Sequence, residues 1–425
     1  MAALTTRVQG TVRAPGDKSI SHRALILSAL TRGKSRIANI LESADVHSTA
    51  KVLRALGADI PPLSSEFVVT GQPPRFLRSP TAPVDCGNSG TTARLMAGVI
   101  AGAGLNAKLV GDASLSRRPM RRVAEPLMEM GATIALPIHG GLPMEVVARP
   151  LRPIEWESRV ASAQVKSAIL LAALLAGVRA QVREPHLSRD HTERMLRARG
   201  ATLHISEDGR CIELEAGQIM RPEDVSVPAD PSSAAFFVGL ASLADQGELR
   251  LTDVCLNPTR TGFYRVLDRM GAEVTTADER ETGGEAVGTF VARPAALRGV
   301  TIPADEVPSM IDELPLFACL AARASGTSEV RGASELRVKE SDRIATIVAN
   351  LRGLGVQAEE LEDGFVIEGS SQPLKGSVTT NGDHRIAMCF GILGALKGNS
   401  IAVDDPGCVD ISFPGFWREL ERVVS

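Results

Sequence analysis

Aromatic residues are scarce in this chain: phenylalanine, tryptophan and tyrosine make up 3% of 425 residues, with one tyrosine and two tryptophans. Basic charge is not in excess either, since 47 lysines and arginines face 50 aspartates and glutamates for a net charge of −3. With few stacking surfaces and no basic field, nucleic acid is not an expected partner. The six cysteines stand apart, at 86, 211, 255, 319, 389 and 408, with no C-x-x-C pair. That spacing argues against a structural zinc site or a disulfide framework and fits a reducing compartment. The seven histidines show neither H-x-x-x-H nor H-E-x-x-H spacing, so no metal is expected, and no organic cofactor is implied. The longest apolar runs, 168–178 and 386–396, fall well short of the roughly 20 residues that span a bilayer. Residues 1–10 lack the basic-then-apolar layout of a signal peptide, which makes a cytoplasmic location the expectation.

What the chain has in quantity is alanine, leucine and glycine, in a repeating order. Its length is too great for one ordinary core, so two or more domains are expected. Five segments pair an amphipathic helical pattern with a closing glycine and a β-prone run, with the glycines at Gly57, Gly131, Gly200, Gly271 and Gly355. Glycine suits the left-handed position that ends a helix. A recurrence of roughly 70–85 residues marks an internally repeated architecture, and a last helix over 416–424 closes a sixth copy. Between these segments lie six others that are apolar on all faces, as in GTTARLMAGVIAG and QVKSAILLAALLAG, and such helices are buried. Each follows a short polar motif: GDKS (16–19), GNSG (87–90), SAQ (162–164), DPSS (230–233), DE (312–313) and GDHR (382–385). Helix starts expose N–H groups and a partial positive charge, so each motif is a candidate anion site. GDKS lacks the spacing of a nucleotide-binding P-loop. A hinge is expected near 227–229, where Pro228 interrupts the chain.

The motifs GDKSISHR (16–23), GNSGTTAR (87–94), RPM (118–120), SAQ (162–164), SRDHTE (188–193), RVKESDR (337–343) and GDHR (382–385) together resemble the enolpyruvylshikimate-phosphate (EPSP) synthases. The resemblance is collinear and runs from the first strand to Phe413 and Pro414. It implies an α/β fold, a two-domain inside-out α/β barrel with six βαβαββ units, three per domain. It also implies domains over 16–227 and over 1–15 plus 228–425, with the active site in the interdomain cleft. The implied reaction transfers the enolpyruvyl group of phosphoenolpyruvate to the 5-hydroxyl of shikimate 3-phosphate and releases phosphate through a tetrahedral intermediate. A monomer acting on these two small molecules is expected. Two polyanions held side by side require several cations and helix dipoles, and the chemistry requires a general base and a general acid.

By the resemblance, Lys18 touches both substrates, Ser19 binds shikimate 3-phosphate and Arg23 meets its carboxylate. Gly90 lets backbone approach phosphoenolpyruvate, which Arg118 binds. Ser162, Ala163 and Gln164 hold the shikimate-borne phosphate, Gln164 also facing phosphoenolpyruvate, with Arg189 as the phosphate's cation. Lys166 is a further contributor to weigh. Asp312 is implied as the base for the 5-hydroxyl and Glu340 as the acid that protonates C3. Lys339 joins the shikimate 3-phosphate set, while Arg343 and Arg385 clamp phosphoenolpyruvate. Read from the residues alone, Asp312 also suits a helix cap before Pro315, Ser19 a cap of its own helix, and Asp383 a cap before Arg385. Lys339 and Arg343, four apart, suit one face of a helix start, and Arg117, Arg121 and Arg122 suit surface charges. His384 is read as packing or capping.

Several positions depart from the best-known branch of the family: Ala163 for a serine, Leu95 for a proline, His186 for a stacking tyrosine and Ile411 for a phosphoenolpyruvate-binding lysine. The SAQVKSA and SRDHTE stretches instead resemble its second sequence class. The alternative is a UDP-N-acetylglucosamine enolpyruvyl transferase. Those enzymes carry Lys-Asn where this chain has Lys18-Ser19, and many carry a loop cysteine where this chain has Ala113. A non-catalytic anion binder on the same scaffold would have no need of Asp312 and Glu340 together.

Overall fold

In a computed structural model describing residues 5–425, the chain divides into two compact units. The first comprises Gly16–Val227 with Thr282–Glu285; the second comprises 5–15, Pro228–Glu281 and Ala286–Ser425. Residues 1–4 of the expected second domain lie outside the described residues.

The first unit is built around three helices, Lys18–Leu30, Gly90–Gly102 and Ala163–Ala176. Nearly every residue of each is buried, as their all-round apolar sequences require. Small residues let two of them approach closely. A Cβ built on Gly98 would lie 2.2 Å from the Ala168 carbonyl oxygen, and one on Gly102 would lie 2.4 Å from that of Ala172. Each helix serves a mixed sheet in which a parallel pair is extended by antiparallel strands. In the third repeat, Ile154–Glu157 runs parallel to Ala180–Arg183 across the Ala163–Ala176 helix, and Cys211–Leu214 and Leu203–Ile205 follow antiparallel. The second repeat builds the same order from Val84–Asp85, Ala107–Val110, Met144–Val147 and Thr133–Ala135. Amphipathic helices Ala44–Ala55, Arg121–Glu129 and His191–Ala198 complete the repeats. They run out into Gly57, Gly131 and Gly200 at φ of 92°, 108° and 86°.

The second unit repeats the plan with helices Pro231–Leu243, Leu314–Ala321 and His384–Gly394. Gly271 and Gly355 end its amphipathic helices with φ of 88° and 85°. Aromatic residues are concentrated here: all phenylalanines except Phe67 and Phe76 lie in this unit. Phe236, Phe237, Phe413 and Phe416 pack with ring centroids 5.6–6.1 Å apart. The last helix is Phe416–Val423, one residue shorter than expected.

The opening strands of two repeats are exchanged along the chain. Arg7–Val12 lies parallel to Gln246–Cys255 and so opens the fourth repeat, while Val225–Ser226 lies parallel to Gly33–Ala38 and opens the first. The outer edge of Arg7–Val12 is covered by the C-terminus, with Val424 bridged to Val8 and reciprocal bonds between Arg7 and Ser425. Among the described residues no helix is long and apolar enough to cross a membrane.

Candidate active site

In the first unit, Asp17 rather than Ser19 caps the opening helix, its carboxylate accepting the Ile20 N–H at 2.8 Å. Aspartate can reach the third N–H from outside the helix, whereas Ser19 is already inside the first turn. Lys18, at the first helical position, bonds Asp45 at 3.0 Å, with 22% and 12% of the two side chains exposed. Arg23 is buried, and its three side-chain nitrogens donate to Thr192 Oγ1 at 2.7 Å, Ser167 Oγ at 2.7 Å and the Ser19 carbonyl at 3.0 Å. Burial lowers its pKa to about 10, against the nearby carboxylate of Glu193, while Arg189 adds a like charge.

Ser89 caps the second helix and leaves Gly90 at its first position. A Cβ on Gly90 would lie 2.8 Å from one Arg94 nitrogen and 3.6 Å from one of Arg118, so only glycine leaves the space beside both guanidiniums open. Arg94 bonds Gln164 Oε1 at 2.7 Å, Gln164 bonds Thr91 Oγ1 at 3.0 Å, and Arg118 bonds Asn88 at 2.7 Å. Ser162 is the cap of the third helix, accepting from Val165, with Ala163 and Gln164 in its first turn. A buried hydroxyl chain runs beneath: His22 Nδ1 to Thr49 at 2.6 Å, Thr49 to Thr92 at 2.7 Å, Thr92 to Ser89 at 2.7 Å. Burial holds His22 neutral, its pKa lowered to about 3. With the Arg23–Ser167 and Arg94–Gln164 bonds, the three buried helices are joined near their starts, and Lys18, Ser19, Arg23, Gly90, Arg118, Ser162, Ala163 and Gln164 lie in one connected region of this unit, with Arg189 close enough to Arg23 to affect its charge.

Lys166 is placed differently. It is 2% exposed and held between Glu184 at 2.7 Å and Glu193 at 2.8 Å, so its charge is spent inside the unit. Arg117 and Arg121 are exposed, but Arg122 is half-buried rather than a surface charge. His186 is exposed.

In the second unit a single guanidinium organises the site. Arg343, 1% exposed, bonds Glu340 at 2.7 Å, Asp383 at 2.8 and 3.3 Å, and Asp312 at 3.5 Å. Burial opposes its charge, but Asp383, Glu340 and Asp312 outweigh that and raise its pKa. Arg385 donates to the Asp312 carbonyl at 3.2 Å and lies 3.8 Å from its carboxylate. Lys339 is shifted downward by desolvation, with Arg343 adding to the effect and Asp312 and Glu340 opposing it. Asp312, Lys339, Glu340, Arg343 and Arg385 are therefore gathered together.

Two local expectations need correction here. The Leu314–Ala321 helix places Glu313, not Asp312, at its cap position, because a turn through 310–313 precedes it. The Asp312 carboxylate therefore faces Arg343 and Arg385 instead of backbone. Lys339 is not on a helix face with Arg343: it is extended at φ −82°, ψ −153°, and the helix starts at Arg343 behind the Asp342 cap. Asp383 does cap Arg385, at 3.0 Å, and it is also the main anchor of Arg343. His384 is buried, and Ile411 packs against the core.

Asp45, Arg94, Ser167, Thr192, Glu184 and Glu193 were not singled out by sequence. Arg94, Ser167, Thr192 and Glu193 lie inside the quoted stretches, which is the only signal available. Asp45, Ser167 and Glu184 reach their partners from elements 18 to 144 residues away.

Six copies of one α/β pattern in two units, with cations set at helix starts in each, define an enolpyruvyl transferase scaffold. Residues 3–420 match the family model described as EPSP synthase (3-phosphoshikimate 1-carboxyvinyltransferase). A 3-phosphoshikimate 1-carboxyvinyltransferase of Aquifex aeolicus (strain VF5) is 47% identical over 422 residues, covering 98% of each chain. One of Xanthomonas euvesicatoria pv. vesicatoria (strain 85-10) is 48% identical over 413 residues, covering 97% of this chain and 93% of that one. A solved EPSP synthase from Acinetobacter baumannii matches with a TM-score of 0.86 at 36% identity, covering 99% of this chain and 98% of that chain. The enolpyruvyl transferase NikO from Streptomyces tendae shares the fold, with a TM-score of 0.76 at 18% identity over 98% and 95% of the two chains. The chain belongs to the EPSP synthase family.

Proposed function

We propose a division of labour among these side chains for the reaction of the family, in which the enolpyruvyl group of phosphoenolpyruvate passes to the 5-hydroxyl of shikimate 3-phosphate. The chain catalyses that transfer, a step of the shikimate pathway to aromatic amino acids. The UDP-N-acetylglucosamine alternative is not favoured.

The first unit receives anions. Ser162, Ala163, Gln164 and Arg189 take the acceptor's phosphate, Arg23 its carboxylate and Ser19 its body. Gly90, Arg118 and Gln164 take phosphoenolpyruvate, and Lys18 serves both substrates. The second unit supplies proton transfer and further charge. Asp312 accepts the 5-hydroxyl proton as that oxygen attacks C2, and Glu340 gives a proton to C3. Elimination of phosphate from C2 of the tetrahedral adduct, with a C3 proton returned to Glu340, restores the vinyl group. Lys339 contacts the acceptor, and Arg343 and Arg385 stabilise charge on phosphoenolpyruvate.

The observation that carries this reading is the pair of carboxylates, Asp312 and Glu340, held by one buried arginine at 3.5 and 2.7 Å. Two carboxylates gathered at one place can serve as proton acceptor and, once protonated, as proton donor. Phosphate release assayed with each substrate omitted in turn tests it: release without shikimate 3-phosphate, or with UDP-N-acetylglucosamine in its place, would contradict the assignment. The protein is further read as a cytoplasmic monomer without a nucleic-acid partner, which gel filtration and cell fractionation check.

A further inference from the structure

Three buried charges of the first unit that touch no substrate in this scheme, Lys166, Glu184 and Glu193, form one connected group. Glu184, at 1% side-chain exposure, accepts the Ser162 N–H at 3.0 Å and the Ser188 hydroxyl at 2.7 and 2.8 Å. Lys166 lies 2.7 Å from the same carboxylate and 2.8 Å from Glu193. Ser162 is the cap of the helix assigned to the acceptor's phosphate, and Ser188 directly precedes Arg189. One carboxylate thus links a helix start and a loop that are otherwise separate elements.

A carboxylate beside a phosphate pocket repels its ligand unless neutralised, and a lysine in the first turn of a helix opposes the helix dipole. Each charge offsets the cost of the other. Glu193 faces Lys166 on one side and, on the other, opposes the fall that burial imposes on the pKa of Arg23. Both oxygens of the Glu184 carboxylate are hydrogen-bonded, and a buried group satisfied in this way holds its partners in one geometry.

We propose that Glu184 is a positioning residue for acceptor recognition: its Lys166-neutralised carboxylate ties the Ser162 helix start to the Ser188–Arg189 loop, so that both are presented together to the acceptor's phosphate. The proposal rests on the assignment of Ser162–Gln164 and Arg189 to that phosphate. It predicts an effect confined to phosphorylated acceptor, which a merely structural role would not produce.

The experiment compares shikimate 3-phosphate with unphosphorylated shikimate, each as ligand in calorimetry, and measures KM for both substrates, using the full-length protein. For Glu184→Gln, loss of the charge-assisted bonds should weaken shikimate 3-phosphate binding and raise its KM by about 10–100-fold. Shikimate binding, kcat and the KM for phosphoenolpyruvate should stay within about threefold. Ser188→Ala, which removes one hydroxyl and no buried charge, should move the same ratio by several-fold, and it serves if Glu184→Gln folds poorly. A ratio of the two acceptors' affinities left unchanged in both variants, or an equal loss for both acceptors, overturns the proposal. Arg189→Ala separates the two readings. If it leaves the ratio unchanged, the phosphate assignment itself fails; if it collapses the ratio while the Glu184 and Ser188 variants do not, only the positioning role fails.

Discussion

Replacing Glu340 with glutamine tests the proton chemistry with little disturbance to the fold. The amide keeps the shape and an oxygen that can still accept from Arg343, now 2.7 Å from Glu340 Oε2. Arg343 retains Asp383 at 2.8 and 3.3 Å, so its charge remains compensated. Glu340 is 22% exposed, and the stability cost should therefore be about 1 kcal/mol or less. Activity should respond far more strongly. Removing a positioned general acid costs about 10²–10⁴ in rate, which corresponds to about 2.7–5.4 kcal/mol of transition-state free energy. The KM for shikimate 3-phosphate should change less than about threefold, because Glu340 itself is assigned no contact with that ligand. The assay is steady-state phosphate release with both substrates near neutral pH, together with incorporation of solvent deuterium at C3 of phosphoenolpyruvate. A variant whose kcat stays within about threefold of the parent, or which exchanges deuterium at the parent rate, would refute the assignment of Glu340 as the acid.

Lys18→Met should abolish turnover, lowering kcat/KM by at least about 10³, because it removes a cation from the start of the first helix and leaves Asp45 facing the anions; retained phosphate release would contradict the role. Acid should destabilise the first unit through His22. Its folded pKa of about 3 lies below the ordinary 6.5, so the unfolded chain binds the extra proton and stability present above pH 6.5 is lost as pH falls towards 3. The loss amounts to about 2–3 kcal/mol by pH 4.5, and His22→Gln should show a shallower fall of Tm between pH 6.5 and 4.5 than the parent. Gly98→Ala should cost about 1–3 kcal/mol or more, since its Cβ would meet the Ala168 carbonyl at 2.2 Å; an unchanged Tm would show that the two helices can separate without penalty.

The local marks of this fold are plain along the chain. Helix ends at Gly57, Gly131, Gly200, Gly271 and Gly355 are all left-handed, and the φ of a helix-ending glycine depends on only a few neighbouring residues. All-round apolar composition likewise requires burial wherever the helix packs, so the six core helices and their polar starts follow from sequence alone. Cap identity depends on more than residue type: Asp17 and Ser19 are both good caps until the helix start is known, and Glu313 occupies the cap position that Asp312 suits better by type. Partnership lay outside the reach of local pattern. Lys166 looks like any lysine in the first turn of a helix, and only folding sets it between Glu184 and Glu193, 18 and 27 residues on. The ligands of Arg23 come from 144 and 169 residues away, and Arg343 finds Asp383 across 40. The exchange of opening strands, with Arg7–Val12 beside Gln246–Cys255, is of the same kind. Backbone conformation is set by near neighbours, whereas the pairing of buried charges and strands is set by which distant segments share a core, and that was decided by tertiary packing.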